Sequence, residues 1–205
     1  MKAVLKAFLL FVVLAAVLAA VVFIWIGSRG ISARAVPGRI ETVVARTMRG
    51  LAIPRAARDL RNPVAPTPQI IAEGMAHYAD HCAGCHANDG SGETEIGRSL
   101  YPRSPDMRLP ATQSLTDGEL FYIIENGVRL TGMPAWATGT DAGAQATWHL
   151  VHFIRELPRL TPAQVEEMKT LNPRSPEEIR QEIEEEKFLK GASDTPEPPA
   201  STHKH

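Results

Sequence analysis

Two cysteines and a histidine within five residues constrain this chain more than any other feature. Residues 82–86 read CAGCH, and Cys82 and Cys85 are the only cysteines among the 205 residues. Thiols at this spacing can form a redox pair, contribute to a zinc site or attach a porphyrin covalently. Each of these roles requires different surroundings, so the rest of the sequence decides among them.

The sequence around CAGCH favours covalent heme over the alternatives. A thioredoxin-like redox site needs strand–helix–strand units, and no run of alternating β-branched residues predicts a sheet. A zinc site would draw two ligands from His77, His81 and His86, which crowds all four ligands into ten residues. In covalent heme the two thiols form thioethers with the porphyrin vinyl groups, and the adjacent histidine ligates the iron. We therefore expect one heme c on Cys82 and Cys85 with His86 as an axial ligand, and zinc, redox chemistry or chance as the alternatives.

The segment from 68 to 157 has the pattern of a small all-α domain. Helices are predicted at about 69–81, 117–125 and 142–156. Thr67 and Thr116 are suitable N-caps for the first two helices, and the third ends before Pro158. Long stretches rich in Gly, Pro, Ser and Thr separate them. A core this small often needs help to stay folded, and a large apolar cofactor wrapped by the loops would supply it.

An uncharged run near the N-terminus predicts a membrane-spanning helix. Residues 7–26 read AFLLFVVLAAVLAAVVFIWI, and a helix of that length spans roughly the ~30 Å hydrocarbon core of a bilayer. Trp25 lies near the far end, where an indole prefers the interface. The rival interpretation is a cleavable signal peptide cut near residues 33–35, although its apolar region is usually shorter. We expect an uncleaved, single-pass anchor that contacts lipid through residues 7–26.

Charge divides the chain into blocks that follow the predicted regions. Residues 1–67 carry ten Lys and Arg against two acidic residues, whereas residues 68–157 carry five Arg, no Lys and eleven acidic residues. The predicted regions are an anchor at 1–28, a basic, Pro-containing linker at 29–67, a compact domain at 68–157, and a charged helical extension with a disordered tail at 158–205. Charge blocks of this kind inform partners rather than fold.

Apolar residues recur at helical spacing between the arginines of the linker. They are Ile40, Val43, Val44, Met48 and Leu51. The pattern predicts a short basic amphipathic helix, which lies either in solvent or against lipid headgroups or an acidic partner.

A low-spin heme needs a second axial ligand, and two methionines in Pro-containing loops are the main candidates. Met133 lies in VRLTGMPAW, where Gly132 lets the backbone come close and Pro134 favours an extended Met133. Met107, in SPDMRLP, is the alternative, and either methionine could instead fill a gap in the core. The remaining candidates lie on the helix that leads into the motif or on the last helix, and they are Met75, His77, His81, His149 and His152. We expect Met133 to be the ligand.

These residues together resemble a class I, single-heme c-type cytochrome of the membrane-anchored bacterial type. The resemblance covers residues 68–157. EGMAHY (73–78) is similar to the first helix of that family, with Gly74 allowing a close helix crossing, and WHLVHFIREL (148–157) is similar to the last helix, with Trp148 and Phe153 as contacts. NGVRLTGMPAW (126–136) resembles the family's methionine loop.

The resemblance implies a cytochrome c fold in which Cys82 and Cys85 carry the heme, while His86 and Met133 ligate its iron. It implies a non-enzymatic electron carrier that exchanges single electrons with redox proteins in a respiratory chain, and it implies no nucleic-acid partner. The alternatives are a heme subunit of a larger oxidase or dehydrogenase complex and a pentacoordinate heme sensor or peroxidase. Five arginines follow the apolar run and argue for a cytoplasmic C-terminal side. Covalent heme attachment outside the bacterial cytoplasmic membrane implies instead a periplasmic domain.

Overall fold

The chain folds into helices and loops. The computed structural model describes residues 2–30, 32–33 and 35–189, and no β-strand occurs within these ranges. The helices are α1 (Lys2–Arg29), α2 (Arg39–Ala52), α3 (Arg55–Arg58), α4 (Pro68–His81), α5 (Ala83–His86), α6 (Glu95–Ser99), α7 (Pro110–Gln113), α8 (Asp117–Asn126), α9 (Asp141–Glu156), α10 (Pro162–Lys169) and α11 (Pro176–Leu189). The predicted all-α class is confirmed, and the disordered tail expected at 194–205 lies outside the described residues.

Helix α1 contains the apolar run and is long enough to cross a bilayer. Its 28 residues extend about 42 Å at ~1.5 Å per residue. The side chains along it are exposed and mostly apolar, as a helix surrounded by lipid requires. Length and composition are therefore compatible with a membrane anchor, and a signal sequence at an N-terminus meets the same test.

The core of the domain is the crossing of α4 and α9. Gly74 of α4 is buried, and a Cβ atom at this position would collide with the carbonyl oxygen of His149 on α9. Tyr78 and Phe153 are almost completely buried beside this contact, with their ring centroids 5.1 Å apart. The close crossing expected at Gly74 is therefore present, and it brings the two helices together at backbone distance.

Helix α8 packs against the opposite side of α9. Phe121 stacks on Trp148 with ring centroids 4.1 Å apart. Arg155 of α9 donates to the Asp117 carboxylate at 2.7 Å and to the carbonyl oxygen of Leu115 at 2.6 Å. These bonds satisfy backbone and carboxylate oxygens at the start of α8, so the position of that helix is fixed by both apolar and charged contacts.

Segments on both sides of residues 68–157 also pack on this core. In front of it, Ile53 and Ala57 are buried, and Gly118 of α8 lies against the Ala57 carbonyl oxygen. Behind it, Met168 of α10 is fully buried, and α10 contacts α4. Part of the basic linker and part of the extension therefore complete the hydrophobic core of the domain.

Candidate heme-binding site

The motif CAGCH sits on a tight turn at the C-terminal end of α4. The backbone N–H of Cys82 donates to the Tyr78 carbonyl at 2.8 Å and closes the last turn of the helix. The single turn α5 follows at once, with the His86 N–H donating to the Cys82 carbonyl at 2.9 Å. Ala83 is buried and fixes this turn to the core. Cys82, Cys85 and His86 are therefore held by one compact piece of backbone.

The two thiols are free and half-buried. Desolvation raises the pKa of Cys82 to about 12, and the neighbouring Cys85 adds to this shift. Redox-active cysteines need a lowered pKa, so the surroundings of Cys82 oppose a redox role. Among the described residues, no group of three or more His, Cys, Asp or Glu side chains is arranged to hold a metal ion. Two free thiols at this spacing suit attachment to the two porphyrin vinyl groups.

The surroundings of His86 favour a neutral imidazole, which is the form that can ligate a metal ion. Desolvation lowers the pKa of His86, and the backbone carbonyl of Pro105 partly opposes this shift. Its Nδ1 atom is buried without a hydrogen-bond partner among the described residues. A neutral ring is the form that binds metals. Two free thiols beside such a ring fit covalently attached heme, which needs thioether links and an axial nitrogen.

Residues 87–109, here called the inner loop, are bonded tightly to the motif. The Gly92 N–H donates to the His86 carbonyl at 2.8 Å, and the Thr94 hydroxyl donates to the Cys85 carbonyl at 3.3 Å. Gly97 of α6 lies so close that a Cβ atom would collide with the Cys85 carbonyl oxygen. The inner loop therefore encloses the motif backbone on this side. Gly97 is a site residue that could not be predicted from the sequence, because it is twelve residues from Cys85 and contacts it only in the folded domain.

Met107 belongs to the hydrophobic core. Its side chain is only 7% exposed and packs within the cluster that contains Tyr78 and Phe153. The Met107 N–H donates to the Gly90 carbonyl at 2.8 Å, and Gln113 donates to the Met107 carbonyl at 2.7 Å. The Met107 backbone is therefore held by hydrogen bonds, and its side chain is held by packing in the core.

Met133 lies in residues 127–140, here called the outer loop, and is half-buried. Its N–H donates to the Thr131 hydroxyl at 3.1 Å, and its carbonyl accepts from the Val128 N–H at 3.1 Å. The loop returns to α8 through the Trp136 N–H, which donates to the Ile124 carbonyl at 3.1 Å. Local hydrogen bonds therefore shape the loop and leave the Met133 side chain outside the core.

The outer loop meets the end of α4 beside the motif. Trp136, three residues after Met133, contacts the ring of His81 edge-on with centroids 5.5 Å apart. His81 directly precedes Cys82. This contact brings the Met133 loop and CAGCH to the same side of the domain.

The histidines of the last helix take part in structural contacts. His149 is buried at the helix crossing, with Nδ1 3.1 Å from the Glu73 carboxylate. The Nε2 atom of His152 lies 2.7 Å from the Val64 carbonyl oxygen. Both rings therefore connect α9 to α4 or to the preceding segment.

Comparison with known proteins agrees with this geometry. Residues 69–154 match the family model described as cytochrome C oxidase, cbb3-type, subunit III. A search of curated proteins gives no match. The matched region contains CAGCH, both loops and the α4–α9 crossing. The match covers 86 of the 205 residues and, with the free thiols and the buried His86 ring, supports a c-type cytochrome domain for heme-based electron transport at residues 69–154.

Proposed function

We propose that this protein is a membrane-anchored carrier of single electrons, with one heme c on Cys82 and Cys85 and with His86 and Met133 as the axial ligands. The observation that carries the proposal is the position of the outer loop, which meets the α4 end through Trp136 and His81. Met107, the alternative ligand, is enclosed in the core. Ligation by Met107 would require its side chain to leave that core, whereas Met133 is already outside it.

The bound heme supplies an iron centre that accepts and releases one electron. The role of the protein is to hold the iron centre and to change its own structure little when the charge of the iron changes. Cys82 and Cys85 would hold the porphyrin, and His86 and Met133 would both ligate its iron, which would leave no position for a substrate. The rigid α4–α9 crossing at Gly74 limits movement of the segment that carries the motif. These features favour electron transfer over catalysis.

The charge of the domain favours a partner with a basic surface. Its few arginines are largely occupied by acidic neighbours, since Arg108 pairs with both Asp89 and Asp106, and Arg155 pairs with Asp117. The surplus acidic groups leave a negative surface without lysine. We expect long-range attraction to speed association with a basic redox protein and to weaken as salt increases.

A second candidate function is a heme subunit of a larger respiratory complex. It is favoured by the matching family, whose description names subunit III of a cbb3-type oxidase. Extraction in mild detergent followed by native mass measurement separates the two candidates. A single chain carrying one heme supports the free carrier, and a stable assembly with other polypeptides supports the subunit.

The proposed location is the bacterial inner membrane, crossed once, with the heme domain in the periplasm. The apolar α1 supports anchoring, and the covalent chemistry at CAGCH supports the periplasmic side. A reporter fused to the C-terminus tests this orientation. Activity of a reporter that works only in the cytoplasm would contradict it.

Carbon monoxide binding tests the proposed ligation in the unmodified holoprotein. With Met133 on the iron, the ferrous form binds carbon monoxide slowly and the ferric form shows the red absorption band of methionine-ligated heme. A pentacoordinate sensor or peroxidase would bind carbon monoxide rapidly and lack that band.

A further inference from the structure

Helix α2 is attached to the cytochrome domain through its polar side. The Tyr101 hydroxyl donates to the Glu41 carboxylate, and the Arg58 guanidinium donates to the Gly50 carbonyl. Arg49 is half-buried at this junction. Desolvation lowers the pKa of Arg49 and the nearby Arg46 lowers it further, while Glu119 of α8 opposes the shift. The polar face of α2 therefore rests on the domain.

The apolar face of α2 points away from the domain. Its side chains are between 54% and 82% exposed, and they are Ile40, Val43, Val44, Met48 and Leu51. An amphipathic helix of a water-soluble protein turns its apolar stripe toward the core. Helix α2 has the reverse orientation, and no described part of the chain covers the stripe. Its cover therefore comes from outside the part of the chain that the structure describes.

The position of α2 in the chain indicates what that cover is. Nine residues, 30–38, separate the end of α1 from the start of α2, and even fully extended they reach only about 30 Å. A bilayer crossed by α1 is therefore always within reach of α2. Arg39 and Arg46 are exposed and lie beside the apolar stripe, where anionic headgroups would meet them.

We propose that the apolar face of α2 lies in the headgroup region of the same bilayer that α1 crosses, with Arg39 and Arg46 on anionic lipid phosphates. This inference rests on the proposed membrane anchoring. Because α2 is bonded to Tyr101 and Arg58, it holds the cytochrome domain against the membrane on one side. The domain then presents a constant orientation to redox partners.

Thiol accessibility in a lipid disc tests the proposal on the full-length holoprotein. Val44→Cys places a thiol on the apolar face, and Ala45→Cys places one on the adjacent, exposed polar side. The discs contain phosphatidylcholine with one third phosphatidylglycerol and one chain each, and the probe is a charged, water-soluble maleimide. Lipid excludes the probe and also keeps a thiol protonated, so we expect Val44→Cys to react at least about tenfold more slowly than Ala45→Cys.

Two controls separate a failure of this proposal from a failure of heme attachment or of membrane anchoring, on which it rests. The unsubstituted holoprotein must not react, because Cys82 and Cys85 are consumed as thioethers; reaction there contradicts heme attachment. Loss of the chain from the discs in alkaline carbonate contradicts anchoring by α1. With both controls passed, equal reactivity of the two variants overturns the lipid contact. Protection of Val44→Cys only in discs with two chains also overturns it, because a second copy is then the cover.

Discussion

The two loops that border the motif are built in opposite ways. The inner loop is bonded to the backbone of CAGCH and buries Met107 in the core, whereas the outer loop is shaped by its own hydrogen bonds and leaves Met133 half-buried. The two methionines therefore differ in their surroundings, with Met107 enclosed in the core and Met133 outside it. This difference is the reason why we propose Met133, and not Met107, as the ligand of the heme iron.

The largest effect is expected from removing His86, because neither Met107 nor Met133 can ligate heme iron if the heme itself is not held. We expect His86→Ala to abolish the holoprotein, because the proximal nitrogen is lost and the thiols lose their oriented cofactor. Heme staining of the purified chain after denaturing electrophoresis measures the outcome. Normal staining of the variant would contradict the assignment of His86.

Two glycine substitutions compare how tightly the inner and outer loops are packed. Gly97→Ala pushes a Cβ atom into the Cys85 and Gly92 carbonyl oxygens, and we expect it to lower the free energy of unfolding by about 3 kcal/mol. Gly139→Ala, in the outer loop, meets no described atom within 4 Å but keeps a φ of +72°. We expect Gly139→Ala to lower the free energy of unfolding by only about 1–2 kcal/mol, because the only penalty is the positive φ. Denaturant unfolding of both variants measures the difference, and equal losses would contradict the tighter packing of the inner loop.

Truncating Met107 tests whether it is a core residue. We expect Met107→Ala to reduce the free energy of unfolding by about 2–5 kcal/mol through the cavity it leaves. Met107→Leu conserves most of the volume and should cost less than about 1.5 kcal/mol. Both variants should keep the spectrum of the unmodified protein. A changed axial-ligand spectrum in Met107→Leu would show that this side chain reaches the iron.

The smallest effect is expected from the hydrogen bonds inside the outer loop. The Thr131 hydroxyl accepts from the Met133 N–H and donates to the Val128 carbonyl at 2.7 Å. Thr131→Val removes both bonds, so we expect a loss of about 1 kcal/mol and faster carbon monoxide binding to the ferrous protein. Thr131→Ser keeps both bonds and is the control. If Val and Ser variants bind carbon monoxide at the same rate, the loop does not depend on these bonds.

The predictable parts of this molecule are those encoded by neighbouring residues. Thr67 and Thr116 cap their helices as expected, because a capping hydroxyl acts within three residues. CAGCH is equally local, and the crossing at Gly74 was inferred only because the family resemblance supplied its partner helix.

The remaining features depend on contacts between distant residues. Nothing near Gly97 in the sequence reveals that it lies against the Cys85 carbonyl, and nothing near Ile53 or Met168 reveals that they enter the core. The amphipathic pattern of α2 was recognisable, but which of its faces meets the domain was not. Likewise, the sequence near His149 does not reveal that this residue is buried by the crossing of α9 with α4.

The most direct measurement of the central claim is the absorption spectrum of the Met133→Ala holoprotein beside that of Met107→Leu. We predict that Met133→Ala keeps its covalent heme, loses the red band of methionine-ligated ferric heme, binds carbon monoxide rapidly when reduced and has a lower reduction potential. Met107→Leu should match the unmodified protein in all of these. An unchanged spectrum in Met133→Ala, or loss of the band in Met107→Leu, would contradict the account.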